Sequence, residues 1–263
     1  MFNTLLLHSA RVFLLLLAGS VFATTARADD LFLADGRAFP GQLWRSDSGE
    51  VERSIHHREG TANPAFPHAA MKVGQVAVGV DGKVFYVSGL DGYVMHLEGG
   101  RHEIAVLEFD GQVRDLACTG EEHTVYFSVV PTPQNGQPLA DGKIYRRDLW
   151  DGRATEVATV RQADVGGNWW GAFTIRSGAI YIATFEDRSH LFKLTSTGAE
   201  AVFPQNTFKI HGLGVGSDGK FYFATGSDEI YSTESFENVH PAFRGGRQFT
   251  DVALKPPADA PRP

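Results

Sequence analysis

Cysteine is nearly absent from this chain of 263 residues, with Cys118 standing alone. An intramolecular disulfide is therefore excluded, and stability has to come from a packed core. Cys118 closes the run Val113 to Cys118, where it reads as a small hydrophobe on a buried strand. Basic runs are missing too, the longest being the pair Arg146 and Arg147, while Lys and Arg total 24 against 31 Asp and Glu, a net charge of -7. That balance excludes the electrostatic footprint of a nucleic-acid binder. Long apolar runs are also lacking: the longest, Val12 to Ala23, holds 12 residues, short of the roughly 20 needed to span a bilayer. The sequence has no G-x-S-x-G elbow, no H-E-x-x-H run and no phosphate-cradling glycine loop. Gly212-Leu-Gly-Val-Gly216 falls in a strand-like slot with no helix after it, which excludes a dinucleotide fingerprint.

The first 28 residues have the makeup of a secretory signal peptide. Arg11 supplies positive charge, Val12 to Ala23 the apolar region, and Ala26-Arg27-Ala28 a small-x-small cleavage site. The expected mature chain begins near Asp29, has no membrane span, and is periplasmic or secreted.

Glycine is abundant, at 29 residues, and methionine scarce, at 3, a balance that favours turns and β-strands over helix bundles. Four segments repeat one motif, a tight turn followed by an apolar aromatic strand: Asp81-Gly-Lys-Val-Phe-Tyr-Val87, Glu122-His-Thr-Val-Tyr-Phe-Ser128, Ser177-Gly-Ala-Ile-Tyr-Ile-Ala183 and Asp218-Gly-Lys-Phe-Tyr-Phe-Ala224. Counted from Gly82, Glu122, Gly178 and Gly219, they are 40, 56 and 41 residues apart, the long interval holding the insertion Pro131 to Asp141. Such a period is that of propeller blades. Each motif strand is flanked by one strand before it and two after it, so a unit has four strands. The motif strand is apolar at successive positions and must be covered on both faces. At the ends, Arg247 to Leu254 resembles a first strand without followers. Leu31 to Ala34, Gln42 to Arg45 and Glu50 to Ile55 resemble the last three strands of a unit. Joined, they complete one blade and remove an exposed edge. The fold expected is all-β, a five-bladed β-propeller over residues 29–255 closed by a composite blade, followed by a Pro-rich tail, 256–263.

The DGK-type turns leading into Tyr-rich strands, with the GxIY-like strand at Gly178 to Tyr181, resemble the NHL-like and lactonase-like propellers over almost all of the mature chain. The resemblance is one of fold. Those families usually have six or seven blades, so six blades is the alternative count. The resemblance further implies a divalent cation held at the channel by Glu, Asn and Asp; in this sequence the positions it points to are Asn168 with Glu186, Asp187 or Asp91. Histidine does not add a zinc signature, since adjacent His56 and His57 on a strand point to opposite sides, and His68 and His211 match no spacing.

Strand alternation assigns the minimal turns, such as Asp81-Gly82, Asp151-Gly152, Ser177-Gly178 and Asp218-Gly219, to one face of the disc. The longer segments, 35–41, 56–73, 131–142, 162–171, 185–189 and 205–211, fall on the other, where binding residues are expected. The distinctive point there is Gly166-Gly-Asn-Trp-Trp-Gly171. Two readings stand for its tryptophans: an aromatic platform for a ligand, or packing between blades. The expected ligand-binding residues are Asn168, Trp169, Trp170, His211, Arg114 and Gln248. The expected function is an exported, monomeric binding module for a small molecule, glycan or protein, with a metal-dependent hydrolase or lyase as the alternative.

Overall fold

The computed structural model describes residues 31–35, 42–46, 53–56, 73–88, 94–98, 101–106, 112–131, 137–150, 152–203, 207–244 and 248–256. Three strands come first: β1 (Leu31–Asp35), β2 (Gln42–Ser46) and β3 (Arg53–His56). Next come β4 (Val73–Val78), β5 (Val84–Ser88), β6 (Val94–Glu98) and β7 (Arg101–Val106), then β8 (Gln112–Ala117), β9 (Thr124–Val130), β10 (Gly142–Asp148) and β11 (Ala154–Val160). The remainder are β12 (Phe173–Arg176), β13 (Ala179–Ala183), β14 (Leu191–Thr195), β15 (Gly198–Ala201), β16 (Gly212–Val215), β17 (Phe221–Ala224), β18 (Glu229–Thr233), β19 (His240–Arg244) and β20 (Asp251–Leu254). They form five four-stranded antiparallel sheets, four of them runs of consecutive strands. The fifth has the order β20-β1-β2-β3, with Leu31 opposite Leu254 and Ala34 opposite Asp251. The expected pairing of the two ends of the chain is thus present.

The first strands of the sheets touch in the sequence β20, β4, β8, β12, β16, and β16 returns to β20. Between neighbouring sheets lies the core. Phe85 and Val87 of one sheet meet Leu116 and Phe127 of the next, Tyr126 and Ile144 meet Phe173 and Ile182, and Leu191 meets Leu213 and Phe223. Ile230 and Phe243 close the series against Phe249 and Val252. Every residue of β9 is buried, as a second strand covered on both faces requires.

Two copies of the turn have the same construction bond for bond. The Asp81 carboxylate accepts the Lys83 N–H at 3.0 Å, and Asp218 accepts that of Lys220 at 3.1 Å. Gly82 and Gly219 take φ of 79° and 75° and donate to the carbonyls of Gly79 and Gly216. A side chain on Gly79 or Gly216 would meet that aspartate, 2.5 Å and 2.7 Å from its Oδ1. The motif is therefore Gly-x-Asp-Gly-Lys, two residues longer at its start than the Asp-Gly-Lys visible as a turn signal.

Strand limits differ from the sequence expectation by a residue or more: β1 ends at Asp35 instead of Ala34, β2 at Ser46 instead of Arg45, and β20 spans Asp251–Leu254 instead of Arg247 to Leu254. The segment expected as a plain loop at 162–171 contains a 3-10 turn, Gln162–Val165. Residues 1–30, His57, His68, Asp91 and the tail from 257 lie outside the described residues. Among the described residues, no helix is long and apolar enough to cross a membrane.

Candidate functional site

The loop between β11 and β12 is organised by Gln162. Its side-chain amide donates to the Trp169 carbonyl at 2.8 Å and its side-chain oxygen accepts the Trp169 N–H at 3.0 Å. Its backbone N–H is held by Asp141 at 2.8 Å. The chain reverses through Gly166 and Gly167, at φ of 78° and 85°. Two consecutive left-handed residues are accessible at little strain only to glycine, which accounts for the pair.

The two tryptophans divide. Trp169 is fully buried among Val130, Ile144, Val160 and Phe173, and its indole N–H donates to the Ala172 carbonyl at 3.0 Å. Gly142 leaves room for it, since a Cβ there would come 2.5 Å from the ring. This residue belongs to the core, so its ring offers no surface to a ligand. Trp170 is 37% exposed, with the Arg114 guanidinium 5.7 Å from the ring centroid. Gly171, at φ 116°, lets the Arg114 stem pass, for a Cβ there would collide with it. Burial weakens hydration of the Arg114 guanidinium and so pulls its pKa below the ordinary value.

Asn168 connects this loop to the next. Its carbonyl accepts the Phe185 N–H at 2.9 Å, and its side-chain amide donates to Glu186. Phe185 is 41% exposed. The Lys209 ammonium sits 4.3 Å from the Phe185 ring centroid, and the His211 ring meets it edge-on at 5.1 Å. Gln248 is exposed at the approach to β20, next to buried Phe249. Four of the six residues expected from sequence thus fall into two linked groups, Arg114 with Trp170 and Asn168 with His211 around Phe185. The sequence reading passed over Phe185. Its signal is a large apolar residue followed directly by Glu186, Asp187 and Arg188, where a core residue has no reason to be.

The inner strands carry two further groups that sequence reasoning missed. Asp115 and Asp251 start the same short pattern, Asp-Leu-Ala and Asp-Val-Ala, and both are buried. Asp115 accepts the Phe173 N–H at 2.8 Å and Asp251 the Val76 N–H at 2.7 Å. Each carboxyl therefore stitches one sheet to the next. Burial drives both pKa values up, and the charge of Asp251 adds to the rise at Asp115.

Among the described residues no three His, Cys, Asp or Glu side chains gather at one point; of the positions to which the lactonase-like resemblance points, Asn168 and Glu186 meet, and Asp91 lies outside the described residues. Glu186 is engaged by Asn168, with His190 Nε2 at 3.6 Å from its other oxygen. Asp187 lies 3.9 Å from Lys209. A cavity of about 280 Å³ does open, but at β11 and the β14–β15 hairpin, lined by Thr159, Arg161, Asp164, Leu194 and Thr197. None of the expected site residues lines it.

No protein-family model matches the chain, and no curated protein matches it by sequence. Solved structures do. A structural-genomics gluconolactonase candidate aligns at a TM-score of 0.51 and 15% identity, over 86% of this chain and 77% of that one. A gluconolactonase from Xanthomonas campestris aligns at 0.53 and 11%, over 86% and 81%. TolB from Acinetobacter baumannii aligns at 0.50 and 12%, over 82% of this chain and 52% of that one. All three are β-propellers. At these identities the likeness is one of fold, and the fold it shows is a β-propeller.

Proposed function

We propose that this chain is an exported five-bladed β-propeller that binds a ligand, without chemistry on it, through the loop-rich face around Trp170 and Phe185. One observation carries the reading: two exposed aromatic rings, each with a cation over it, stand on loops tied together by the Phe185–Asn168 backbone hydrogen bond. Rings of this kind supply stacking area, and Arg114 and Lys209 supply donors for an acceptor or anionic group on the same ligand. Native mass spectrometry of the protein recovered from its own cells is the test. A small ligand retained by the wild type is expected to be lost from Arg114→Ala/Trp170→Ala; retention by the double variant overturns the assignment.

Export rests on Arg11, the apolar run and Ala26-Arg27-Ala28. Terminal sequencing of the exported protein should read Asp29 first, and a mature chain keeping Met1 would contradict it. The count of five blades rests on the β1–β20 pairing and on the ring of contacts through the first strands. Deleting residues 247–254 then opens the edge of β1, and loss of cooperative unfolding or aggregation follows. Unchanged unfolding of the truncated chain would disprove that closure.

A further inference from the structure

We propose a second binding site on the opposite face, a platform on which Trp150 stacks a neutral saccharide ring. Trp150 is 79% exposed, the most exposed of the large hydrophobic side chains among the described residues. Leaving an indole in water forgoes its burial, and nothing in the core is gained in return.

The ring is nevertheless held. The Leu149 N–H donates to the His123 carbonyl at 2.9 Å, the Trp150 N–H to Asp148 Oδ1 at 2.8 Å, and the Gly152 N–H to the Asp148 carbonyl at 3.2 Å. The His123 ring braces the indole edge-on, with centroids 5.0 Å apart and planes at 84°. His123 itself has φ 57°. Its Nδ1 lies 3.4 Å from Asp81 Oδ2 and 3.5 Å from Lys83 Nζ, across to the neighbouring sheet's turn. A solvent-facing indole therefore stands against an imidazole whose Nδ1 is within reach of a carboxylate and an ammonium.

These chemical types suit a sugar: C–H groups of a pyranose face lie on the indole, and its hydroxyls find both acceptors and donors at the rim. A protein partner fits less well, because hot-spot aromatics sit at the centre of larger apolar patches. Here the neighbours are turn residues with polar side chains. A nucleotide would bring phosphates against a net charge of -7.

Saturation-transfer NMR with cellotetraose, chitotetraose and maltotetraose as probes tests the site. At least one is expected to give a saturable signal that Trp150→Ala weakens tenfold or more, that Trp150→Phe partly restores, and that Trp170→Ala leaves unchanged. Because Trp150 is exposed, Trp150→Ala should unfold thermally with the wild type, so a lost signal reports the platform. The proposal is overturned if none of the three binds, if binding survives in Trp150→Ala, or if Trp170→Ala abolishes it. The last result would move the sugar to the other face and leave the function proposed above intact.

Discussion

Replacing Trp169 with alanine is expected to destabilise the protein by about 3–5 kcal/mol, the range for emptying a buried large aromatic site. The same change one residue later, Trp170→Ala, should stay within about 1 kcal/mol of wild type. Trp169 fills a seam between sheets, and its indole N–H, backbone N–H and backbone carbonyl are all engaged, by Ala172 and Gln162. Truncation leaves a void and strips the Ala172 carbonyl of that donor. Backbone rigidity then limits collapse, because Gln162 keeps the loop in place. Trp170 leans on Arg114 and solvent, so its loss removes a cation–π contact of about 0.5–1 kcal/mol. Urea denaturation of both variants reads the contrast, and equal midpoint shifts would show that the two rings share one environment.

Stability should fall as pH rises from about 4 to about 8. Asp251 is pushed up to about 8 by burial, against the stabilising N–H bond from Val76. Asp115 moves in the same direction, from burial first and the neighbouring Asp251 charge second. A carboxyl whose folded pKa exceeds its unfolded value keeps its proton in the native state while the unfolded chain ionises. Its contribution is complete below about 4 and is lost on the way to the folded pKa, at about 1.4 kcal/mol per pH unit for one such proton. Asp251→Asn copies the protonated form and keeps an acceptor for Val76. The variant should therefore lack this slope and gain on wild type as the pH approaches 8. Chemical denaturation at pH 5 and pH 8 is sufficient, and an Asn variant that tracks wild type at both would remove Asp251 from the account.

The place of Asp251 also explains Gly212. A Cβ at that position would run into Asp251, so the strand that faces the aspartate carries no side chain there. Substituting Gly212 and substituting Asp251 thus perturb one contact, and their effects should not add.

The turn and strand chemistry was legible from residues alone. Asp-Gly-Lys turns, unbroken apolar motif strands and unpartnered ends follow from local rules about φ > 0 positions, two-sided burial and edge pairing, and each is realised in β4–β5, β9 and β20–β1. The choice between the readings of Gly166 to Gly171 was not legible, because neighbouring residues on an extended segment point to opposite sides and either indole could have faced inward. Gln162, seven residues upstream in the same loop, and Gly142, on β10, decide it by anchoring the Trp169 backbone and clearing space for its ring. The same holds for Phe185, which joins Trp170's loop through the Asn168 carbonyl, and for Asp115 and Asp251, whose partners Phe173 and Val76 belong to other sheets. The sequence by itself determined the architecture, since repeats carry their strand and turn signals within a few residues. Only the tertiary structure decided which side chains are core, stitch or surface, because burial and pKa depend on neighbours that the ring brings in from another blade.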